Sequence, residues 1–191
     1  MLDTAFFERP VNDVARDLIG CRLGFNGVGG VIVETEAYDA TDPACHAYNG
    51  LTARNAPLFG PPGVAYVYFS YGMHHLLNFV CEPEGSAAAV LVRAIEPTDG
   101  IDQMRARRRV KTEAQLCSGP GKLTQALGVG PEHNATNLFA PPFALLGRDS
   151  DWRDVAVEAD LRIGISKGVD LPWRYVAAES RFLSVPLSAR A

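Results

Sequence analysis

The segment Val31-Ile32-Val33-Glu34-Thr35-Glu36-Ala37-Tyr38 constrains the fold of this chain more than any other. Successive side chains of an extended strand point to opposite faces. Glu34, Glu36 and Tyr38 therefore share one face, and Val31, Val33, Thr35 and Ala37 share the other. The second face is suited to a core. The first carries two acids and an aromatic ring. A glutamate on a strand is most often a solvated edge group, so this pattern alone leaves the bland reading ahead of a catalytic one.

The surrounding sequence predicts the partners of that strand. A helix is expected over 13–19, with Val14, Ala15, Leu18 and Ile19 on one side, Asn12 or Asp13 as its cap and Gly20 as its stop. Strands are expected over 21–25 and 30–38, joined by the turn at Asn26-Gly27. Residues 39–63 are polar and rich in Gly and Pro, and connections of that length are often functional. Residues 64–80 read as two β-branched and aromatic runs split at Tyr71-Gly72, a hairpin. Strands over 88–95, 155–164 and 173–176 and helices over 98–109 and 119–127 complete the pattern, the last entered through Ser118-Gly119-Pro120. Helices mixed with hairpin-linked strands, without a βαβ rhythm, predict an α+β fold. The expectation is one compact domain over 1–191, a curved antiparallel sheet with a protruding hairpin and helices around it. A chain of 191 residues, 47% hydrophobic, is enough for one buried core.

Several function classes are disfavoured. A net charge of −4 does not support nucleic-acid binding through bulk charge, so any such contact needs a local basic face. The N-terminus lacks a basic stretch followed by an apolar one, and no apolar run reaches the roughly 20 residues of a membrane span. The expectation is a cytoplasmic protein without a targeting signal or membrane contact, nucleoid-associated if bacterial. Cys21, Cys45, Cys81 and Cys117 are scattered without a CxxC pair, which predicts reduced thiols. His74 and His75 face opposite ways in a strand, and His133 is remote, so no metal site is expected. Neither a glycine-rich phosphate loop nor a Gly-x-Ser-x-Gly elbow is present, and no cofactor is predicted.

Several residues could carry chemistry. Tyr66, Tyr68 and Ser70 alternate on one hairpin face, and Val67, Phe69 and Tyr71 on the other. Tyr71 sits at the expected tip, where it either folds back or acts as a wedge between base pairs. His46 in the long connection is a cap or a site residue. Asn78, in an apolar strand, must find partners or define specificity. Arg105, Arg107, Arg108, Arg109 and Lys111 are either a solvated helix end or, with Lys122, the candidate phosphate contacts.

Taken together, these motifs resemble the alkyladenine (3-methyladenine) DNA glycosylase family. The likeness runs through FFERPVNDVARDLIG, VIVETEAY, Ala44-Cys-His-Ala47, Arg54-Asn55, PGVAYVYFSYGMHHLLN, AVLVRAIEP, LCSGPGKLTQAL, RIGIS and WRYV. It implies that Glu36 is the general base, that Arg93 helps hold the nucleophilic water, and that the Ile163 carbonyl also touches it. It implies that Tyr38, His46 and Tyr68 sandwich a flipped base, with the His46 main-chain N–H reading the base edge. Asn78 matches the amide that crowds the 2-amino group of normal guanine, and Tyr71 the intercalating residue. Two departures stand out: His74 and His75 follow Met73 where an aromatic is frequent, and the loop before Arg54 is about one residue shorter. No role is carried onto Asn49 or Thr52.

The implied activity is a monofunctional glycosylase of base excision repair. It would act on duplex DNA as a monomer, release 3-methyladenine, 7-methylguanine, hypoxanthine or ethenoadenine, and leave an abasic site without lyase chemistry. Flipping a base costs a few kcal/mol. Stacking on aromatic rings returns roughly 1–3 kcal/mol per base. Two other readings stay open: a damaged-DNA binding module without catalysis, and a nucleosidase-like hydrolase using both Glu34 and Glu36, which lie roughly 7 Å apart on a strand.

Overall fold

Strand β2 (Val28–Tyr38) is the spine of the molecule, and all other sheet strands are arranged from it. The computed structural model describes residues 2–70, 72 and 74–188. Strand β1 (Arg22–Phe25) leads into β2 through Asn26 and Gly27, both at positive φ, as a tight two-residue hairpin requires. Strands β3 (Ala65–Ser70), β4 (His74–Cys81) and β5 (Ala88–Asp99) follow as antiparallel neighbours. The sheet order is β3-β4-β5-β2-β1-β6, with β6 (Phe143–Leu146) at one edge.

The sheet forks along one side of β2. The first part of β2 pairs with β1, while Glu34, Thr35 and Glu36 pair with β8 (Arg174–Ala177), which also pairs with β7 (Val157–Asp160). The result is a curled antiparallel half-barrel with helices around it. The opposite side of β2 pairs with β5, and the register slips three times there, once between Gly29 and Gly30 and twice between Ile32 and Thr35. Ile32 faces Ile95, Glu34 faces Ala94 and Thr35 faces Val92, so Val33 on β2 and Arg93 on β5 are each an extra residue. Such bulges re-aim side chains. Gly30 marks how closely the two backbones run, since a Cβ there would lie 2.0 Å from the Glu96 carbonyl oxygen.

One sheet face packs on the main core. Helix α1 (Thr4–Phe7) leads into α2 (Val11–Asp17), and Val14, Ala15, Leu18 and Ile19 are fully buried. The buried Thr35 hydroxyl donates to the Ala15 carbonyl at 2.8 Å, which satisfies the polar group on that face. Helices α3 (Ile101–Arg108) and α4 (Pro120–Leu127) close the same core with Met104, Leu123 and Leu127. A smaller cluster of Cys45, Ala47, Leu58, Tyr66, Val80, Ala87 and Ala89 seats residues 39–63 against the sheet.

Three expectations need correction, and two short elements were not expected. Helix α2 starts earlier than expected, after Pro10, with neither Asn12 nor Asp13 as its cap; instead the Val11 N–H donates to Glu82 Oε1 at 3.0 Å, a cap from a distant residue. Thr98 and Asp99 belong to β5, and α3 begins only after Gly100, whose φ of +65° breaks the chain direction. The strand expected over 155–164 is only β7, because residues 161–164 leave the sheet. Helix α1 and strand β6, four residues each, were too short to leave a periodic signal.

All four cysteines are buried and free. Burial pushes the Cys21 and Cys45 thiols up to about 11 and Cys117 up to about 12, and it raises Cys81 further. The thiolate is the reactive form, so the native protein should be inert to disulfide reagents at pH 8. Four thiols should appear on unfolding in denaturant. A thiol that reacts rapidly in the native protein would contradict this burial.

Candidate active site

A transverse row of residues crosses the other face of the sheet. Tyr66 pairs with Asn78, Asn78 with Leu91, Leu91 with Glu36, and Glu36 with Arg174. Strand alternation puts Tyr66, Tyr68 and Ser70 of β3, Ala89, Leu91 and Arg93 of β5, and Glu36 and Tyr38 of β2 around one cavity of about 610 Å³. That volume lies within the range of small-molecule sites. The long connection supplies Pro43, Ala44, Cys45, His46, Asn49 and Leu58, and the segment after β7 supplies residues 163–167.

Glu36 has no exposed surface, and three donors hold it. Tyr38 Oη donates to Glu36 Oε2 at 2.7 Å, Arg93 Nη1 lies 3.1 Å from the same oxygen, and the Ile163 N–H donates to Oε1 at 2.8 Å. The Tyr38 phenol is raised by burial and then by the adjacent Glu36 carboxylate, so it stays protonated and keeps donating. Burial works against the charge of Arg93, but the Glu36 and Glu34 carboxylates outweigh it and hold the guanidinium charged.

Glu34 does not line the cavity. It lies behind Arg93 as the hub of a buried ion cluster. Its Oε1 accepts from Arg93 Nε at 3.0 Å, Arg174 Nε at 2.8 Å and Ser184 Oγ at 2.8 Å, and its Oε2 accepts from the Ser184 N–H at 2.6 Å. Arg174 Nη1 continues to Asp160 Oδ2 at 2.9 Å. Burial acts to raise Asp160, yet the Ser188 and Leu161 N–H groups and Arg174 hold it below the usual carboxylate range. Three carboxylates thus face two guanidiniums, which leaves one negative charge in excess beside the cavity.

A second buried pair fixes the cavity walls. Arg162 and Asp42 form an ion pair with no side-chain exposure on either partner. Arg162 also donates to the Ala37 and Gly168 carbonyls, at 3.0 and 3.1 Å, and its guanidinium lies 4.6 Å from the Tyr38 ring centroid and 5.4 Å from that of Trp173. The segment that presents Ile163 is thereby tied to the connection that presents His46. Within that connection the buried Asn55 side chain donates to the His46 and Gly50 carbonyls and accepts from the Thr52 N–H.

The aromatic groups meet on the β3 side. The His46 and Tyr68 rings lie 4.4 Å apart edge to face, and Tyr66 and Tyr68 stack at 5.3 Å. His46 Nδ1 lies 3.0 Å from Tyr66 Oη. Burial pushes the Tyr66 phenol up to about 12. The Asn78 side chain donates to the Tyr66 carbonyl at 3.1 Å while lining the cavity.

Seven residues singled out from the sequence, Glu36, Tyr38, His46, Tyr68, Asn78, Arg93 and Ile163, therefore line one cavity. Tyr71 lies outside the described residues. Arg105, Arg107 and Arg108 do not line the cavity; they clamp α3 against its neighbours. Arg105 pairs with Asp102 and Glu113, Arg107 donates to the Ala126 and Leu127 carbonyls, and Arg108 donates to the Leu116 carbonyl. Arg109 is exposed at the end of α3, and Lys122 is exposed on the first turn of α4, beside the cavity-lining Pro120. His74 packs against Gly121, where a Cβ would lie 2.7 Å from the imidazole, and the His75 carbonyl accepts from Thr124 Oγ1. Sequence reasoning missed Asp42, Asn55, Lys167, Arg162, Arg174 and Ser184. The partners of Asp42, Arg162, Arg174 and Ser184 lie far along the chain, whereas Asn55 bonds within its own connection, and the Arg54-Asn55, RIGIS and WRYV motifs hinted at Asn55 and the two arginines.

Comparison with known proteins gives a consistent result. A family model described as methylpurine-DNA glycosylase matches residues 5–181. A protein of Bradyrhizobium diazoefficiens named "Putative 3-methyladenine DNA glycosylase" is 58% identical over 97% of this chain and 91% of its own length. Relatives of the same name from Rhodopseudomonas palustris (strain BisB18) and Nitrosospira multiformis are 58% and 54% identical, over 98% and 94% of this chain and 92% of their own lengths.

His46 provides a direct check on this geometry. Partial burial and then the Arg54 cation push its pKa below the ordinary 6.5. The fold favours the neutral ring, so its contribution to stability is complete above pH 6.5 and is lost as pH falls through the folded-state value. An NMR titration should give a midpoint below 6.5, and Arg54→Gln should move it upward. A midpoint at or above 6.5 contradicts the arrangement.

Proposed function

The chain belongs to the methylpurine-DNA glycosylase family, and on that premise we propose that it hydrolyses the N-glycosidic bond of damaged purines in duplex DNA with water activated by Glu36. The observation that carries this reading is the environment of Glu36. A carboxylate offers about four lone-pair sites. Tyr38, Arg93 and Ile163 direct three donors at them, and the remaining site on Oε1 is suited to a water.

The chemistry follows from that arrangement. As the bond from the sugar to the base lengthens, positive charge develops on the sugar ring. The excess negative charge around Glu36 favours it in a setting of low dielectric. The water adds to the sugar carbon, Glu36 takes its proton, and the sugar–nitrogen bond breaks with its electron pair going to the base, so that a cationic alkylpurine departs neutral and hypoxanthine or ethenoadenine takes up one proton from solvent, leaving an abasic site. Arg93 and the Ile163 carbonyl orient the water. Tyr38, His46 and Tyr68 stack on an alkylated or deaminated purine, among them 3-methyladenine, 7-methylguanine, hypoxanthine and ethenoadenine, and Asn78 disfavours normal guanine. Tyr71 fills the gap left in the duplex. Phosphates are met by Lys122 and Lys167 at the mouth, with Arg105, Arg107, Arg108 and Arg109 adding positive charge on α3. One copy of the chain is enough for one lesion. No helix among the described residues is long and apolar enough to cross a membrane.

The enclosure of Glu34 argues against a glycosidase with two catalytic carboxylates, since its oxygens already accept four hydrogen bonds outside the cavity. Lys167 at the cavity is the amine that a lyase reading would need. Glu36→Gln should slow base release under single-turnover conditions by about 10²–10⁴-fold and leave binding to an abasic-site duplex intact. The wild-type protein should give no adduct with abasic DNA under borohydride. Release at the normal rate by Glu36→Gln sinks the mechanism, and a trapped adduct at Lys167 or Lys122 replaces it with an amine nucleophile. Tyr71→Ala should slow release from duplex DNA; unchanged duplex activity removes the support for base flipping.

A further inference from the structure

Ser184 lies beyond residues 5–181, the span matched by the family model, and outside any helix or strand, yet it touches Arg93. Its hydroxyl accepts from Arg93 Nη2 at 3.1 Å and donates to Glu34 Oε1 at 2.8 Å. A hydroxyl has one proton and two lone pairs, so both bonds form at once. We infer that Ser184 is a positioning residue for base release, acting through Arg93. The inference rests on the reading of Glu36 and Arg93 as the pair that activates water.

Each of the three nitrogens of Arg93 has its own partner: Nε on Glu34, Nη1 on Glu36 and Nη2 on Ser184. Three contacts in different directions fix the plane of a guanidinium, and two leave it able to pivot. Arg93 occupies a bulge on β5, where the regular ladder does not dictate the direction of its side chain. The tertiary contacts must do so, and Ser184 is one of them. Main-chain groups anchor the same segment elsewhere. The Ser184 N–H bonds Glu34, the Val185 carbonyl accepts from Arg174, and the Ser188 N–H bonds Asp160. The Ser184 hydroxyl is the group of this segment that reaches Arg93, and removing it leaves those main-chain anchors in place.

The test compares Ser184→Ala and Ser184→Thr in the full chain, alone and with Arg93→Gln, on a duplex containing one ethenoadenine. Ser184→Ala should slow single-turnover release by about 10-fold, the scale of one hydrogen bond to a charged group. Binding to an abasic-site duplex should stay within about 2-fold. Ser184→Thr retains the hydroxyl and should restore release to within about 2-fold of wild type. In the Arg93→Gln background, Ser184→Ala should add less than about 2-fold, because the residue it acts through is gone. Wild-type release by Ser184→Ala overturns the positioning role, as does an equal loss in both backgrounds or a failure of Ser184→Thr to rescue. Those outcomes leave the glycosylase reading standing. Absence of release by the wild-type protein from duplexes containing ethenoadenine, hypoxanthine, 7-methylguanine and 3-methyladenine alike overturns that reading, and the role of Ser184 with it.

Discussion

The ion cluster around Glu34 is the constraint on which the rest of the site depends. A carboxylate with no solvent exposure is tolerated only when paired and hydrogen-bonded, and removing one partner from such a cluster costs about 3–5 kcal/mol. Glu34 draws its donors from β5, β8 and the segment at residue 184. The cluster therefore adds a polar tie between β2, β5, β8 and the segment at residue 184, which also share the main core. Arg174 anchors β8 to β2 and carries the connection on to Asp160 at the end of β7. The chain then turns directly into Arg162 and Ile163, whose N–H reaches Glu36. Burial of one glutamate thus sets the position of the donor to the other.

The cavity is assembled by a second set of buried charges. Arg162 and Asp42 join residues that are 120 positions apart, and Arg162 lies against the Tyr38 ring on the way. The wall that carries His46 and the wall that carries Ile163 are therefore coupled through one side chain. Preorganisation of this kind keeps donors in place before substrate arrives, which is how a fixed polar site favours a developing charge more than water does. Under the proposed mechanism the excess negative charge suits a positively charged sugar but repels phosphates. Lys167 at the cavity and Lys122 on the first turn of α4 are both exposed and are the proposed phosphate contacts that would offset that repulsion in a chain with net charge −4.

Much of the site face was legible from alternation. Glu36 with Tyr38, and Tyr66 with Tyr68 and Ser70, fall on the cavity side as a two-residue period requires. The basic run on α3 was legible as charge but not as contact. Periodicity cannot tell that Arg107 caps the carbonyl end of α4, because that depends on how two helices pack. The cap of α2 was missed for the same reason, since Glu82 is remote in sequence. The helix expected from Thr98 starts later because β5 keeps its pairing with β2 as far as Asp99.

The sequence by itself determined the local terms: strand alternation, the Asn26-Gly27 turn, the apolar side of α2, and the ordered motifs that resemble a known family. The two glutamates of β2 were equivalent at that level, apart from the resemblance that singled out Glu36. Tertiary structure decided which one borders the cavity and which one becomes the hub behind it. Arg93 reaches Glu34 across 59 residues, the Ile163 N–H reaches Glu36 across 127, and Arg174 reaches Glu34 across 140. A carboxylate's role is set by the donors and solvent around it in space, and no local pattern of residues encodes those distances.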